Sequence, residues 1–348
     1  MQKFVETDQN VIDEVERSKW KNTLLTLAKD WRLYVLLIPM LAFVILFKYL
    51  PISGILTGFK WGDDQDTLYN SQWCGLYWFS NVVDGANSEI FWRAFRNTFV
   101  NSMYGLLFGF PLPIFLALLF SEIKCAGYRS FLQVAAYLPH FVSAVVVTTI
   151  IDLWCSGVTL QSDAGGIIFR AFTALGWMIG DNGTTVITSN VLNSPKFFRP
   201  IYQVSGVWEG CGYGSIVYFA AILAISPTSY EAARIDGATK IQQIRYVTFP
   251  GMAPTLTIML IMRIGQILNI GYEKIILLVG TRPEAWETAD VVSTFVYRMT
   301  GRGESYDGAP TPMPQAGIVA DLFNSLIAMC LVLGANAISR RVSSTSLF

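Results

Sequence analysis

Histidine is almost absent from this chain: His140 stands alone among 348 residues. The five cysteines (Cys74, Cys125, Cys155, Cys211 and Cys330) are scattered, with no CxxC or His-paired spacing. That pattern supports neither a metal site nor a dense disulfide framework. A single Cys74 to Cys155 bridge outside the membrane is weighed against two free thiols, and the free thiols are the expectation. Charge is scarce too. Only 14% of residues are charged, and 25 Lys and Arg balance 25 Asp and Glu, so nothing points to nucleic acid or a polyacidic partner. No GxxxxGKS or GxxxxGKT phosphate loop occurs, which excludes ATP hydrolysis by this chain itself. No close carboxylate pair lies in an apolar run, so no catalytic residues are expected. Asp8, Asp13, Glu14 and Glu16 precede the first apolar run, which is wrong for a cleaved signal peptide. The N-terminal tail is expected to stay attached and disordered.

What is plentiful is apolar: 53% hydrophobic residues, 14% aromatics and a mean hydropathy of +0.43. These values describe an integral membrane protein. A bilayer core needs roughly 20 apolar helical residues to cross it, and six runs reach that length: 31–56, 97–120, 131–154, 204–225, 253–272 and 316–338. An all-α membrane protein with six transmembrane helices follows. Pro111, Pro113 and Pro139 fall inside the second and third runs and are expected to kink them without ending them. Lys and Arg are retained on the cytoplasmic side. Thirteen of them lie on one set of segments and ten on the longer alternate set 57–96, 155–203 and 273–315. The tails 1–30 and 339–348 and the insert 226–252 are therefore expected in the cytoplasm, and 57–96 is expected as an extracellular loop.

The insert, TSYEAARIDGATKIQQIRYVTFPGMAP over 228–254, is polar between two oily runs. Thr228 precedes Glu231 by three residues and Thr239 precedes Gln242 by three, two capping-box patterns. Pro227 suits a first helical turn. Two short helices are expected, with Gly237 releasing the chain between them and Pro250-Gly251 stopping the second. Ile235, Ala238, Ile241 and Ile244 form an apolar stripe, to be laid on lipid headgroups or in a partner's groove.

The string EAARIDGATKIQQIRYVTFP resembles the EAA loop of binding-protein-dependent ABC importer permeases, with Phe249 where the family usually has Leu and Ile244 where it often has Phe. FPLPIFLALLFSEI (110–123), YLPHFVS (137–143), VWEGCGYGSIVYFAA (207–221), ETADVVSTFVYR (287–298), the AN of GANAISRR (334–341) and the closing SLF resemble the six-span permeases for complex oligosaccharides and polysaccharide fragments of the LplB type. The resemblance runs from about residue 30 to the C-terminus. It implies the type I ABC importer (MetI-like) transmembrane fold, with a core domain over 97–338. It also implies a coupling helix that docks in a cytoplasmic ATPase, so that Glu231, Ala232, Ala233, Asp236, Gly237, Ile241, Ile244 and Pro250 couple ATP hydrolysis to transport. Glu231 has a plainer role open to it, as a capping partner. The implied partners are two ATPase subunits, which bind the ATP and Mg, a second and different permease, and an extracellular solute-binding protein. No cofactor is expected in this chain.

Gly206, Glu209, Gly210 and Tyr213 share one face of the fourth run. Arg263, Gln266, Ile267 and Ile270 repeat the spacing on the fifth. Maltose-type permeases line their sugar cavity with these two faces, so the resemblance implies a substrate path there. Arg263 and Glu209 either meet substrate or only pair with each other. A free Arg263 favours an acidic sugar. His140 is expected to stabilise a kink by a hydrogen bond rather than relay protons, and Trp61, Trp73, Tyr77, Trp78 and Trp92 to anchor at the interface. The segment 155–199, with Gly165-Gly166 and Asp181-Asn182-Gly183, reads as a loop-rich outer rim. The function expected is a permease subunit that passes oligosaccharides by alternating access. The alternatives are an ion-driven secondary carrier, whose related halves are not evident, and a membrane enzyme, for which no constellation exists.

Overall fold

The computed structural model of the chain describes residues 29–62, 71–157, 165–177, 190–280, 282–301 and 312–342. Nearly all of the N-terminal tail, Asp181-Asn182-Gly183 and the closing SLF lie outside the described residues. Among those described, regular structure is helical, apart from two isolated antiparallel bridges, Lys60 with Trp73 and Ser156 with Asn190. Helices satisfy their own backbone groups, the one requirement lipid imposes on any span.

Two units divide the chain, 1–73 and 74–348. In the first, α1 (Trp31–Val44) runs into a π-helical turn (Ile45–Tyr49) and a 3-10 stretch (Leu50–Phe59). No side chain of α1 is buried. Such an all-round apolar surface is what a lipid-facing helix presents.

The second unit opens with α2 (Tyr77–Asp84), α3 (Ser88–Gly109) and α4 (Pro111–Glu122). Next come α5 (Ala126–Tyr137), α6 (Ala144–Cys155), α7 (Ile167–Ala174) and the long α8 (Pro195–Leu223). The insert supplies α9 (Pro227–Ile235) and α10 (Lys240–Gln243), and α11 (Phe249–Gly265) comes after them. Helices α12 (Glu273–Val279), α13 (Trp286–Ala289) and α14 (Val292–Met299) lead to α15 (Pro314–Val342). Among the described residues, four helical stretches are long and apolar enough to cross a membrane: 31–59, 88–122, 240–265 and 314–341. Two bent pairs, 126–155 and 195–235, bring the number to six, as the apolar runs require.

Proline behaves in three ways. Across Pro111 and Pro113 the span continues, because a proline in a first helical turn loses no bond. Pro139 does more than kink. The chain breaks after a 3-10 turn (Leu138–Phe141) and turns by 92° into α6, which starts on Ser143, whose hydroxyl accepts from the Val146 amide. Pro250, expected to stop a helix, sits in the first turn of α11 inside one continuous stretch from Lys240 to Gly265. A π-helical turn, Ile244–Thr248, precedes it. That wider turn shifts the bonding register, so the missing amide and the proline ring are absorbed.

Three apolar clusters hold the second unit. The largest joins α6, α7, the start of α8, α12 and α13 around Phe198, Ile275, Leu278 and Leu192. The connecting segments expected as an outer rim thus build a core of their own. Another gathers α2, α3, α14 and α15 around Phe91 and Phe295. The third joins α4, the end of α8 and Met252 of α11. An ion cluster pins α14: Asp290, fully buried, accepts from Arg298 at 2.6 Å and lies 3.8 Å from Arg93. The Arg298 guanidinium sits 4.6 Å from the Trp286 ring centre. Where α5 crosses α8, a Cβ on Gly212 would stand 1.9 Å from the Ala136 carbonyl oxygen, so only glycine permits that approach.

The cysteines are free, Cys74 and the fully buried Cys155 included. His140 stacks on Tyr213, ring centres 4.1 Å apart and planes 11° apart, where a kink-stabilising hydrogen bond was the expectation.

Candidate functional site

A cavity of about 360 Å³ opens between α3, α8 and the segment after α11. From α8 it takes Gly206, Glu209 and Gly210, three of the four residues expected on that face. Tyr213, the fourth, is not among the lining residues and is stacked on His140 instead. One more helical turn carries it past the cavity floor to the α5–α8 crossing. Gly206 and Gly210 each face open space where a side chain would stand, which leaves the room the cavity occupies.

Arg263, Gln266, Ile267 and Ile270 all line the cavity, but not as one helical face. Helix α11 ends at Gly265, and the chain unwinds through Gln266 to Gly271. The freed carbonyls find side-chain donors: Asn324 of α15 donates to Leu268 at 3.0 Å and Ser293 of α14 to Ile270 at 2.5 Å. Non-helical backbone at membrane depth is tolerated where it lines a cavity in this way. Arg263 falls in the last turn of α11, where a cation is favoured by the helix dipole.

Glu209 does not pair with Arg263. Its partner is Lys274 of α12, and both side chains are largely buried. The Lys274 ammonium also lies 5.6 Å from the Tyr202 ring centre. Arg263 is exposed to the cavity and has no carboxylate within ion-pair distance among the described residues. One carboxylate against two cations leaves this lining with a net positive charge. Lys274, Asn101 and Asn269 also line the cavity, and none of them was singled out from the sequence. Their approach depends on long-range packing that no local spacing announces. Gln203 and Asn101 are locked by a bond from the Gln203 amide to the Asn101 carbonyl at 2.8 Å.

The insert is the second part of the site. Helix α9 starts at Pro227 on an N-cap that is Ser226, with no capping bond from Thr228, whose hydroxyl instead meets that of Ser226 at 2.7 Å. Glu231 is therefore no capping partner. The helix closes on Gly237, at φ +75°. Ala238 bonds back to the Ala233 carbonyl at 2.9 Å and Gly237 to that of Arg234 at 3.1 Å. This reciprocal pair is the Schellman closure, which needs a left-handed residue at its turn. The Thr239 and Gln242 capping box is present as expected.

Half-buried polar contacts brace the insert: one ties α10 to the link after α9 and one ties α9 to the π-helical turn that leads into α11. Gln243 donates to the Ala238 carbonyl at 2.9 Å, and the Tyr230 hydroxyl lies 3.0 Å from that of Thr248. Lys240 pairs with Glu122 at the end of α4 at 2.7 Å, both exposed, a contact of small energy. The expected stripe divides. Ile235 is 86% exposed and Ile241 78%, while Ala238 and Ile244 are half-buried against the turn. Beside the two isoleucines stand exposed Glu231, Ala232, Arg234, Asp236 and Tyr246, with Ala233 half-buried.

The 26-residue helical stretch Lys240–Gly265 thus carries the insert at one end and Arg263 at the other. At about 1.5 Å per residue it spans roughly 39 Å.

Residues 109–343 match the family described as the binding-protein-dependent transport system inner membrane component. The chain is 32% identical over 324 residues to Protein LplB of Bacillus subtilis, covering 92% of each. To the polygalacturonan/rhamnogalacturonan transport system permease protein YteP of the same organism it is 29% identical, covering 99% of this chain and all of that one. Among solved structures, a bacterial ABC transporter involved in import of the acidic polysaccharide alginate has a chain that is 37% identical, with a TM-score of 0.75 over 93% of this chain and 99% of its own. Up to six candidate crossings among the described residues, an all-helical core and the matched profile agree: this chain belongs to the binding-protein-dependent transport system inner membrane components, the membrane-spanning permease subunits of type I ABC importers.

Proposed function

We propose that this chain passes oligosaccharides or polysaccharide fragments inward, by alternating access, as one half of a two-permease pore driven by a separate pair of ATPase subunits. An extracellular solute-binding protein delivers the substrate. Both termini and the insert face the cytoplasm, and the substrate path runs over Gly206, Glu209, Gly210, Arg263, Gln266, Ile267 and Ile270. The observation that carries this reading is the single helix from Lys240 to Gly265, braced at the insert and open to the cavity at Arg263. Force applied to Ile235, Ile241 and Glu231 is delivered along it to the cavity wall. Glu231, Ala232, Ala233 and Asp236 form the docking rim with those isoleucines, Gly237 sets its angle, and Ile244, in the π-helical turn, and Pro250, in the first turn of α11, transmit its motion.

The substrate class is argued from charge. An Arg263 without a carboxylate partner, beside a Glu209–Lys274 pair that neutralises itself, favours a sugar bearing a carboxylate. The relatives named for alginate and for polygalacturonan and rhamnogalacturonan agree in kind. Proteoliposomes holding the full complex, supplied with ATP and binding protein, test this with uronate oligosaccharides and their carboxyl-reduced counterparts. Uptake of the acidic form and weaker uptake of the neutral one is expected. No ATP-dependent uptake of either would overturn the function.

A further inference from the structure

Adjoining the polar cavity along the α3–α8 seam, and sharing Gln203 and Val207 of its lining, lies a second, larger one of about 720 Å³. Polar bonds cross the seam between α3 and α8: Arg199 donates to the Asn97 side chain at 3.1 Å, and Gln203 donates to the Asn101 backbone carbonyl. The groove has two distinct ends. At one end stand Lys196 and Arg199, neither within ion-pair distance of a carboxylate among the described residues. Beyond them the walls are mostly apolar, with Tyr104, Phe108 and Leu112 from α3 and α4 and Val204 and Val207 from α8, and Gln203 and Thr288 as the polar exceptions. Tyr104 and Phe108 stack at 6.5 Å, and Val204 is 70% exposed. From Lys196 to Val207 the helix rises roughly 16 Å.

We propose that this groove holds one anionic glycerophospholipid, its phosphate on Lys196 and Arg199 and an acyl chain along Phe108, Leu112, Val204 and Val207. A basic mouth over a mostly apolar trough between spans matches that amphiphile, cations for the phosphate and apolar walls for the chain. A sugar would leave its hydroxyls without partners against the apolar walls, an expensive burial. Two cations with no carboxylate within ion-pair distance among the described residues call for a counter-charge, and a phosphate supplies it through charge-assisted bonds. Because α3 and α8 also wall the polar cavity, the lipid wedges the seam on which that cavity depends. This inference uses the importer reading only in choosing the assembled complex for its test.

Native mass spectrometry of the detergent-purified complex, titrated with dioleoylphosphatidylglycerol or dioleoylphosphatidylcholine, tests it. One phosphatidylglycerol should be retained per copy of this chain in preference to phosphatidylcholine. Lys196→Gln and Arg199→Gln should each weaken retention roughly fivefold. Lys196 is exposed, so its variant folds; Val204→Trp, also at an exposed position, should fill the trough and abolish retention with both cations intact. Equal retention of the two lipids, or retention indifferent to Lys196→Gln and Val204→Trp, would overturn the proposal. Cross-linking of Val204→Cys to the second permease would overturn it too, by showing a protein in the groove. Loss of ATP-driven uptake in liposomes of either lipid speaks against the importer reading, and lipid retention is read independently of it.

Discussion

At the scale of single residues, the site turns on which charges are paired. Glu209 and Lys274 are partners, and removing one leaves the other partly desolvated and alone. Because both side chains are only partly buried and line an open cavity, Lys274→Met should lower the melting temperature of the complex modestly, with about 1–2 kcal/mol lost from the fold. The double variant Glu209→Gln/Lys274→Met should recover much of that loss, which a double-mutant cycle measures. Arg263 is a different case. Arg263→Gln should raise the KM for uronate oligosaccharides about tenfold, the worth of one charge-assisted bond, and leave neutral sugars unaffected. Gly237, left-handed at φ +75°, should not tolerate a bulky β-branched residue. Gly237→Val should insert in the membrane and bind lipid normally yet lose uptake.

These residues were not equally legible. Gly206, Glu209 and Gly210 declared themselves by spacing because α8 stays regular through them. Gln266, Ile267 and Ile270 reach the same cavity by another route, since the helix meant to present them ends at Gly265. The residues that stop it from fraying, Asn324 and Ser293, lie far along the chain. Lys274 stayed hidden for the same reason: a charge counted for orientation turned out to neutralise Glu209. Gly237 was plain, because only glycine takes that backbone conformation freely.

At the scale of elements, a turn depends on its local chemistry more surely than on proline alone. Pro111 and Pro113 leave the span continuous, Pro139 precedes a right-angled break, and Pro250 is absorbed by a π-helical turn. The signal missed at the break was Ser143, an N-cap immediately before an apolar run. Ser143→Ala should cost about 1 kcal/mol, visible as a small drop in melting temperature without loss of assembly. Gly212→Ala tests the crossing of α5 and α8 more harshly. Its methyl would collide with the Ala136 carbonyl, so this variant should fail to accumulate as a folded complex. The insert illustrates a further limit of periodicity. Its four apolar residues fall on one stripe by spacing, yet the Schellman closure at Gly237 rotates α10 against α9 and divides them.

At the scale of the molecule, the candidate crossings, four helical stretches and two bent pairs among the described residues, were plain because lipid demands long apolar runs and the sequence contains six. The connecting segments were not. Phe198, Leu192, Ile275 and Leu278 form the largest core outside the long apolar runs, and a mixed sequence that folds on itself looks like a loop until its partners are known. That core, with the Asp290–Arg298 cluster, gives the ends of α3 and α8 a rigid frame. Under the proposed coupling, motion of the Lys240–Gly265 helix against such a frame would change the cavity wall instead of dissipating in the connections.

The central claim is that this helix links an external motor to the cavity, and a cross-link at the insert tests it most directly. Ile241→Cys, at a side chain 78% exposed, should join to the ATPase subunit when the whole complex is treated with a bifunctional thiol reagent. The joined complex should lose sugar-stimulated ATP hydrolysis until the link is cleaved. A cysteine at Ile241 that reaches no ATPase, or a linked complex that hydrolyses ATP and transports as before, would contradict the account.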